Sequence, residues 1–155
     1  MEQMLRKLRI VGFSIHIACQ NGRHACVEIL LTANGVDANV PTADEYGYTP
    51  AIVASQYGYV KILALLLAKG ADPSLVDRNG STAAQWASRY DHSKCLQLLV
   101  KRGVDICVKN KNGDTPLDLA RLFKHPECID LLLSAEAVGR AVEDLPTVSE
   151  AEMVR

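Results

Sequence analysis

The sequence predicts an all-α solenoid of stacked helix–turn–helix units joined by short β-hairpin loops. Three observations predict it: an internal period of 33 residues, a turn-and-cap signature recurring on that period, and an apolar helix in each unit that cannot bury itself alone. Gly47-Tyr48-Thr49 recurs as Gly80-Ser81-Thr82 and as Gly113-Asp114-Thr115. Ala54, Ala87 and Ala120 keep the same step, as do Leu66, Leu99 and Leu132, and Gly70 with Gly103. An earlier copy follows a step of 36 residues, with Ala18, Gly22 and Leu30 matching Ala54, Gly58 and Leu66. Its extra residues fall at Asn34 and around Pro41–Ala43, where a loop tolerates insertion.

Each of the last three units opens on Asp/Asn-x-x-Gly-x-Thr, a run of turn residues in which glycine accepts a positive φ, whereas the first shows Gly12-Phe13-Ser14-Ile15 there. The threonine is placed to cap a helix, and proline follows it where the missing N–H is harmless. The first helices are expected over 49–57, 82–90 and 115–123, and their alanines let neighbouring helices approach closely. A break is expected at Gly58, Asp91 and His125. Without glycine, the third and fourth of these turns are expected to be looser. A second helix then carries Ile62, Leu63, Leu66 and Leu67, or Ile129, Leu132 and Leu133, at helical spacing. Gly70 and Gly103 are expected to end it.

The pattern Gly-x-Thr-Pro-Leu-x-x-Ala, a break, a Leu-rich helix and then Gly-Ala-Asp resembles the ankyrin repeat. Tyr48-Thr49-Pro50, Lys69-Gly70-Ala71-Asp72 and Gly113–Ala120 carry the resemblance best. It covers residues 13–134 in four units, 13–43, 44–76, 77–109 and 110–134. Residues 1–12 are then an N-terminal cap or a truncated segment. The family's histidine after Thr-Pro-Leu, which the resemblance implies ties neighbouring turns together, survives only as His16. Ile52, Gln85 and Asp118 replace it, so a looser middle of the stack is expected.

Composition narrows the function classes. The chain has 155 residues, 48% hydrophobic and 23% charged, as a folded domain requires. A net charge of −1 argues against a nucleic-acid or acidic-membrane binder. No apolar run is long enough to span a membrane. Residues 1–134 hold 15 Lys/Arg and 13 Asp/Glu, whereas residues 135–155 hold 2 and 5. That final stretch, with Pro146, is expected to be an acidic, disordered tail. Five cysteines without a CxxC pair and without a signal peptide are expected to be reduced and mostly buried, in a cytoplasmic or nuclear protein. His16, Cys19, His24 and Cys26 are ligand types, but the repeat register scatters them over a motif position, a small-residue slot and a second helix, so no metal is expected. No phosphate loop or nucleophile elbow is present, and neither a cofactor nor catalysis is expected.

What remains is a surface. Tyr57, Tyr90 and Phe123 share one position at the end of the first helix, and a column of rings about 20 Å long is expected from helix spacing. The resemblance implies that this end, with the hairpin tips, lines the concave face that partners use. Candidate contacts are therefore Tyr46, Tyr48, Gln56, Tyr57, Arg78, Ser81, Arg89, Tyr90, Lys111, Asp114 and Phe123. Trp86 is expected to pack in an apolar column with Ile17, Val53 and Leu119. Lys101, Arg102, Lys109 and Lys111 form a basic rim whose simplest role is solvation. The function expected is non-catalytic protein recognition by a monomer, as adaptor, scaffold or inhibitor. The alternatives are an ankyrin segment of a larger enzyme or channel, and a stand-alone inhibitor. Length and Gly113–Phe123 are similar to ankyrin-type inhibitors of cell-cycle kinases, but that group has a shortened second-repeat helix, and 49–57 is full length.

Overall fold

The computed structural model describes residues 1–32 and 36–143. Four helix pairs follow one another: α1 (Glu2–Gln20) with α2 (His24–Thr32), α3 (Pro50–Tyr57) with α4 (Val60–Ala68), α5 (Ala83–Arg89) with α6 (Ser93–Lys101), and α7 (Pro116–Leu122) with α8 (Pro126–Glu143). The first helices stack as one layer and the second helices as another, with closer packing in the first. Small residues explain the difference: Ala51, Ala54, Ala83, Ala84 and Ala87 are buried in that layer. The stack therefore bends towards the first helices and the hairpin tips.

The caps follow the sequence signature. Thr49, Thr82 and Thr115 accept a hydrogen bond from the N–H three residues on, and Thr82 and Thr115 form full capping boxes with Gln85 and Asp118. The backbone bond from Thr115 holds the Asp118 carboxyl below its usual range. At the far end of α4, Ala71 N–H bonds Leu66 C=O and Gly70 N–H bonds Leu67 C=O, a Schellman motif with Gly70 at φ 92°. Leu63, Leu66, Leu96, Leu99 and Leu132 are wholly buried between the layers.

The expected hairpin loops are present as tight turns, but no strand forms among the described residues. Each hairpin closes with one rung, Thr42 to Tyr48, Asp77 to Ser81 and Asn110 to Asp114, too short a ladder for a strand. Neighbouring tips are linked by Arg78 N–H to Tyr46 C=O and Lys111 N–H to Asn79 C=O. Asp44, Asp77 and Asn110 each accept two backbone N–H groups within their own turn.

The break between paired helices corrects the expectation in two ways. The break position of the last repeat is Lys124, not His125, and the turns without glycine are as tight as the others. Gly22, Gly58, Asp91 and Lys124 all adopt the left-handed conformation, with φ of 67°, 76°, 61° and 59°. In each, the next N–H bonds the repeating alanine: Arg23 to Ala18, Tyr59 to Ala54, His92 to Ala87 and His125 to Ala120, all at 2.9 Å. The shared acceptor and the packing of both helices outweigh the roughly 1–2 kcal/mol cost of a side chain in this region.

Glycine is nevertheless required at 58, because a Cβ there would run into the His92 ring of the next repeat. Gly58→Ala is expected to cost about 1–3 kcal/mol in urea unfolding, from strain plus displaced His92. Lys124→Gly, at an exposed site with the same strain, is expected to gain about 0.5–1 kcal/mol once the extra freedom of the unfolded glycine is allowed for. A neutral or destabilising Lys124→Gly would show that the left-handed turn carries no strain.

Three further expectations meet the structure. Residues 1–12 are continuous with the first helix of the first repeat, since α1 runs unbroken from Glu2 to Gln20. The disordered tail expected from residue 135 is corrected for residues 135–143, which continue α8. Residues 144–155, and the proposed insertion point Asn34, lie outside the described residues. The five cysteines are free. Cys19, Cys95 and Cys128 are buried, with burial pushing the thiols up to about 12, about 11 and about 12, whereas Cys26 and Cys107 are exposed. Among the described residues no helix is long and apolar enough to cross a membrane.

Candidate interaction surface

The hairpin tips and the first helices bring most of the expected contacts onto one strip. Tyr46 stacks on Tyr48 at 5.4 Å between ring centres. Tyr48 meets Trp86 edge-on at 5.5 Å, and Trp86 stacks on Tyr90 at 5.8 Å, four residues along α5. The guanidinium carbon of Arg89 lies 5.8 Å from the ring centres of Trp86 and Tyr90 and 4.9 Å from that of Phe123. Rings and cation thus run unbroken from the hairpin of Thr42–Tyr48 to the end of α7.

The expected column of Tyr57, Tyr90 and Phe123 takes another form. All three are exposed at 40–45%, but each stacks within its own repeat, on Tyr59, Trp86 and His125. Arg89 bridges Tyr90 and Phe123. The Tyr57 hydroxyl instead accepts a hydrogen bond from Gln20 of the first repeat, 3.1 Å away. The spacing between repeats is too wide for successive rings to touch, so a long cation fills one gap.

Of the remaining expected contacts, Arg78 and Lys111 are exposed and Gln56 and Asp114 half-buried. Arg78 lies close enough to Asp44 to help lower its carboxyl, mainly held down by the Thr42 hydroxyl. Ser81 is 5% exposed, its hydroxyl lying 3.5 Å from the Asn79 and Asn110 amides, so it forms a floor and not a tip. The basic rim of Lys101, Arg102, Lys109 and Lys111 is exposed. Burial pushes the Tyr48 phenol up, and Glu45 does the same to Tyr46 through a hydrogen bond.

Sequence reasoning missed the centre of the strip. The apolar column expected of Ile17, Val53, Trp86 and Leu119 holds only in part: Val53 and Leu119 are each 5% exposed, Ile17 is 40% exposed and Trp86 is half-buried. Its indole N–H donates to Asp77 Oδ2 at 2.8 Å, which leaves one ring face towards Tyr90 and Arg89. The available signal was its indole N–H, which needs a partner that a fully apolar slot does not supply. Beside it lies a small recess lined by Asn79, Gln85, Arg89, Asn112 and Asp114 among others.

The looser middle of the stack is corrected at one boundary, between the third and fourth repeats. Gln85 is wholly buried and takes over the tie expected of the family's histidine. Its Nε2 donates to Asp114 C=O at 2.7 Å and Val108 C=O at 3.1 Å, while Oε1 accepts from Thr82 N–H at 2.7 Å. A second ladder runs along the helix breaks. His92 Nε2 lies 3.0 Å from Gln56 C=O and His125 Nε2 3.0 Å from Arg89 C=O, each joining one repeat to the next. His125 also lies 3.7 Å from Asp91, whose carboxylate accepts from Cys128.

The comparisons agree with this architecture. A family model described as ankyrin repeats in three copies matches residues 12–77 and 69–141. No curated protein matches the chain. Ankyrin repeats are generally protein-interaction modules and typically non-catalytic. With the stacked pairs, the threonine caps and that match over most of its length, the chain belongs to the ankyrin-repeat family.

Proposed function

We propose that this chain is a non-catalytic recognition domain that holds a protein partner along the strip from Tyr46 to Phe123. The observation that carries this reading is the run of half-exposed rings around Arg89, on rigid helices and doubly bonded hairpins. Tyrosine, tryptophan and arginine are the side chains that most often dominate binding, and a preformed surface lowers the ordering cost of association. Four repeats offer room for a standard interface of roughly 1,600 Å².

The test is affinity capture with the wild-type chain and with Tyr57→Ala/Tyr90→Ala/Phe123→Ala, after circular dichroism establishes equal helicity. All three side chains are exposed, so the fold is expected to survive. A partner held by wild type is expected to bind at least about 100-fold more weakly to the triple variant, as loss of two or more anchors implies. A folded variant that keeps its partner at full affinity moves recognition off the strip.

A further inference from the structure

Arg89 is the one cation among the described residues of the recess wall, and none of the described residues forms an ion pair with it. Among the described residues the ion pairs are Arg6–Glu2 and His125–Asp91, so no carboxylate lies within 4 Å of its guanidinium. The guanidinium makes no hydrogen bond to a described side chain or backbone group, and is held in place by three rings. Asp114, on the same recess wall, lies more than 4 Å from the guanidinium, and the other acids of the strip are occupied. Asp44 bonds Thr42 and two backbone N–H groups, and Asp77 bonds two backbone N–H groups and the Trp86 indole. The exposed amide of Asn112 stands on the same recess. A planar guanidinium with its donors free, beside an amide and flanked by rings, matches one planar carboxylate with an apolar neighbour.

Asp114 limits the occupant further. It is the only acid among the described residues of the recess wall, and it repels every negative charge entering there, so Arg89 offsets one and each further charge is opposed. A run of acids or a polyphosphate backbone is therefore disfavoured, and a single carboxylate is favoured. In an extended peptide, residues i and i+2 lie on one side, about 6.6–7 Å apart. That spacing is comparable with the 5.8 Å from the Arg89 guanidinium to the Trp86 and Tyr90 rings.

We infer that the strip binds an extended peptide segment bearing one Asp or Glu, seated on Arg89, with an aromatic or branched apolar residue two positions away on Trp86 and Tyr90. This rests on the docking strip proposed above and names the chemistry it selects.

The test starts from a random library of 12-residue peptides displayed on phage and selected on the full chain. The best peptide is synthesised with its acid intact and as the Glu→Gln or Asp→Asn form. Binding is followed by anisotropy of the labelled peptide and by fluorescence of Trp86, the only tryptophan. Arg89→Gln and Tyr90→Ala change exposed side chains, so folded variants are expected. Selected peptides are expected to share one acid two residues from an apolar side chain. Arg89→Gln is expected to weaken the acidic peptide about tenfold or more and the amide peptide less than about twofold. Peptides without a shared acid, or losses at Arg89 and at the acid that simply add, overturn the inference. If such peptides are still lost with Tyr90→Ala, the docking strip stands and only the acid fails. Peptides indifferent to both variants, or no selected peptide at all, sink both readings. A single-stranded oligonucleotide that binds through Arg89 where peptides do not also overturns it.

Discussion

Leu66→Ala and Leu99→Ala are each expected to destabilise the chain by about 2–5 kcal/mol in urea unfolding. Both side chains are wholly buried, on α4 and α6, at the same register position as the equally buried Leu132. Each belongs to the continuous core that joins successive repeats. Removing three carbons leaves a cavity that the surrounding helices cannot close, because each helix is pinned at its C-terminus by a Schellman turn and at its start by the break between helices. In a solenoid each repeat is supported only by its neighbours, so the loss is felt on both sides of the mutated unit. Leu65→Ala is the control: the neighbouring leucine of the same helix is only half-buried and is expected to cost clearly less. A loss below about half a kilocalorie per mole at Leu66 and Leu99 would mean that the register is wrong.

That register was legible because its signals are local and backbone-driven. A threonine cap, a proline behind two of the three caps and a glycine at the end of the second helix in two repeats specify conformations that few other residues supply, and they fall on the repeat's spacing. The failures share a cause: they depend on neighbours in space that the residue's own type does not signal. Asp91 and Lys124 carry no glycine signal, yet they take glycine's conformation because the alanine carbonyl ahead and the helix behind hold the turn. Trp86 reads as core by register, but its exposure is decided by Tyr48, Asp77 and Tyr90, three partners at different separations along the chain. The extension of α8 to Glu143 was legible in principle. Ser134–Glu143 is rich in alanine and glutamate, both compatible with a helix, and the acidic balance of the final segment obscured that.

Gln85→Ala is expected to cost about 2–4 kcal/mol, more than loss of the exposed capping partner Asp118 in the last repeat. The side chain is wholly buried and links three backbone groups across a repeat boundary: Thr82 N–H, Val108 C=O and Asp114 C=O. Alanine leaves all three to find water or go unpaired, and it opens a cavity beside the recess that holds Arg89. Gln85→Leu fills the space but leaves the same groups unpaired, so it is expected to recover only part of the loss. Gln85→His, the residue the family's motif carries here, keeps a donor towards the two carbonyls and is expected to lose least. Gln85→Glu separates hydrogen bonding from shape. At neutral pH its carboxylate faces the Val108 and Asp114 carbonyls with no proton to donate, so the folded state raises its pKa above the unfolded value near about 4.3. A group raised in this way contributes its full stability only below the unfolded pKa and loses it as pH climbs through the folded one. Gln85→Glu is therefore expected to be the weakest variant at pH 7 and to approach wild type as pH falls towards 4. Equal losses for Glu, Leu and His, independent of pH, would assign the position to packing and remove the hydrogen-bonded tie between the third and fourth repeats.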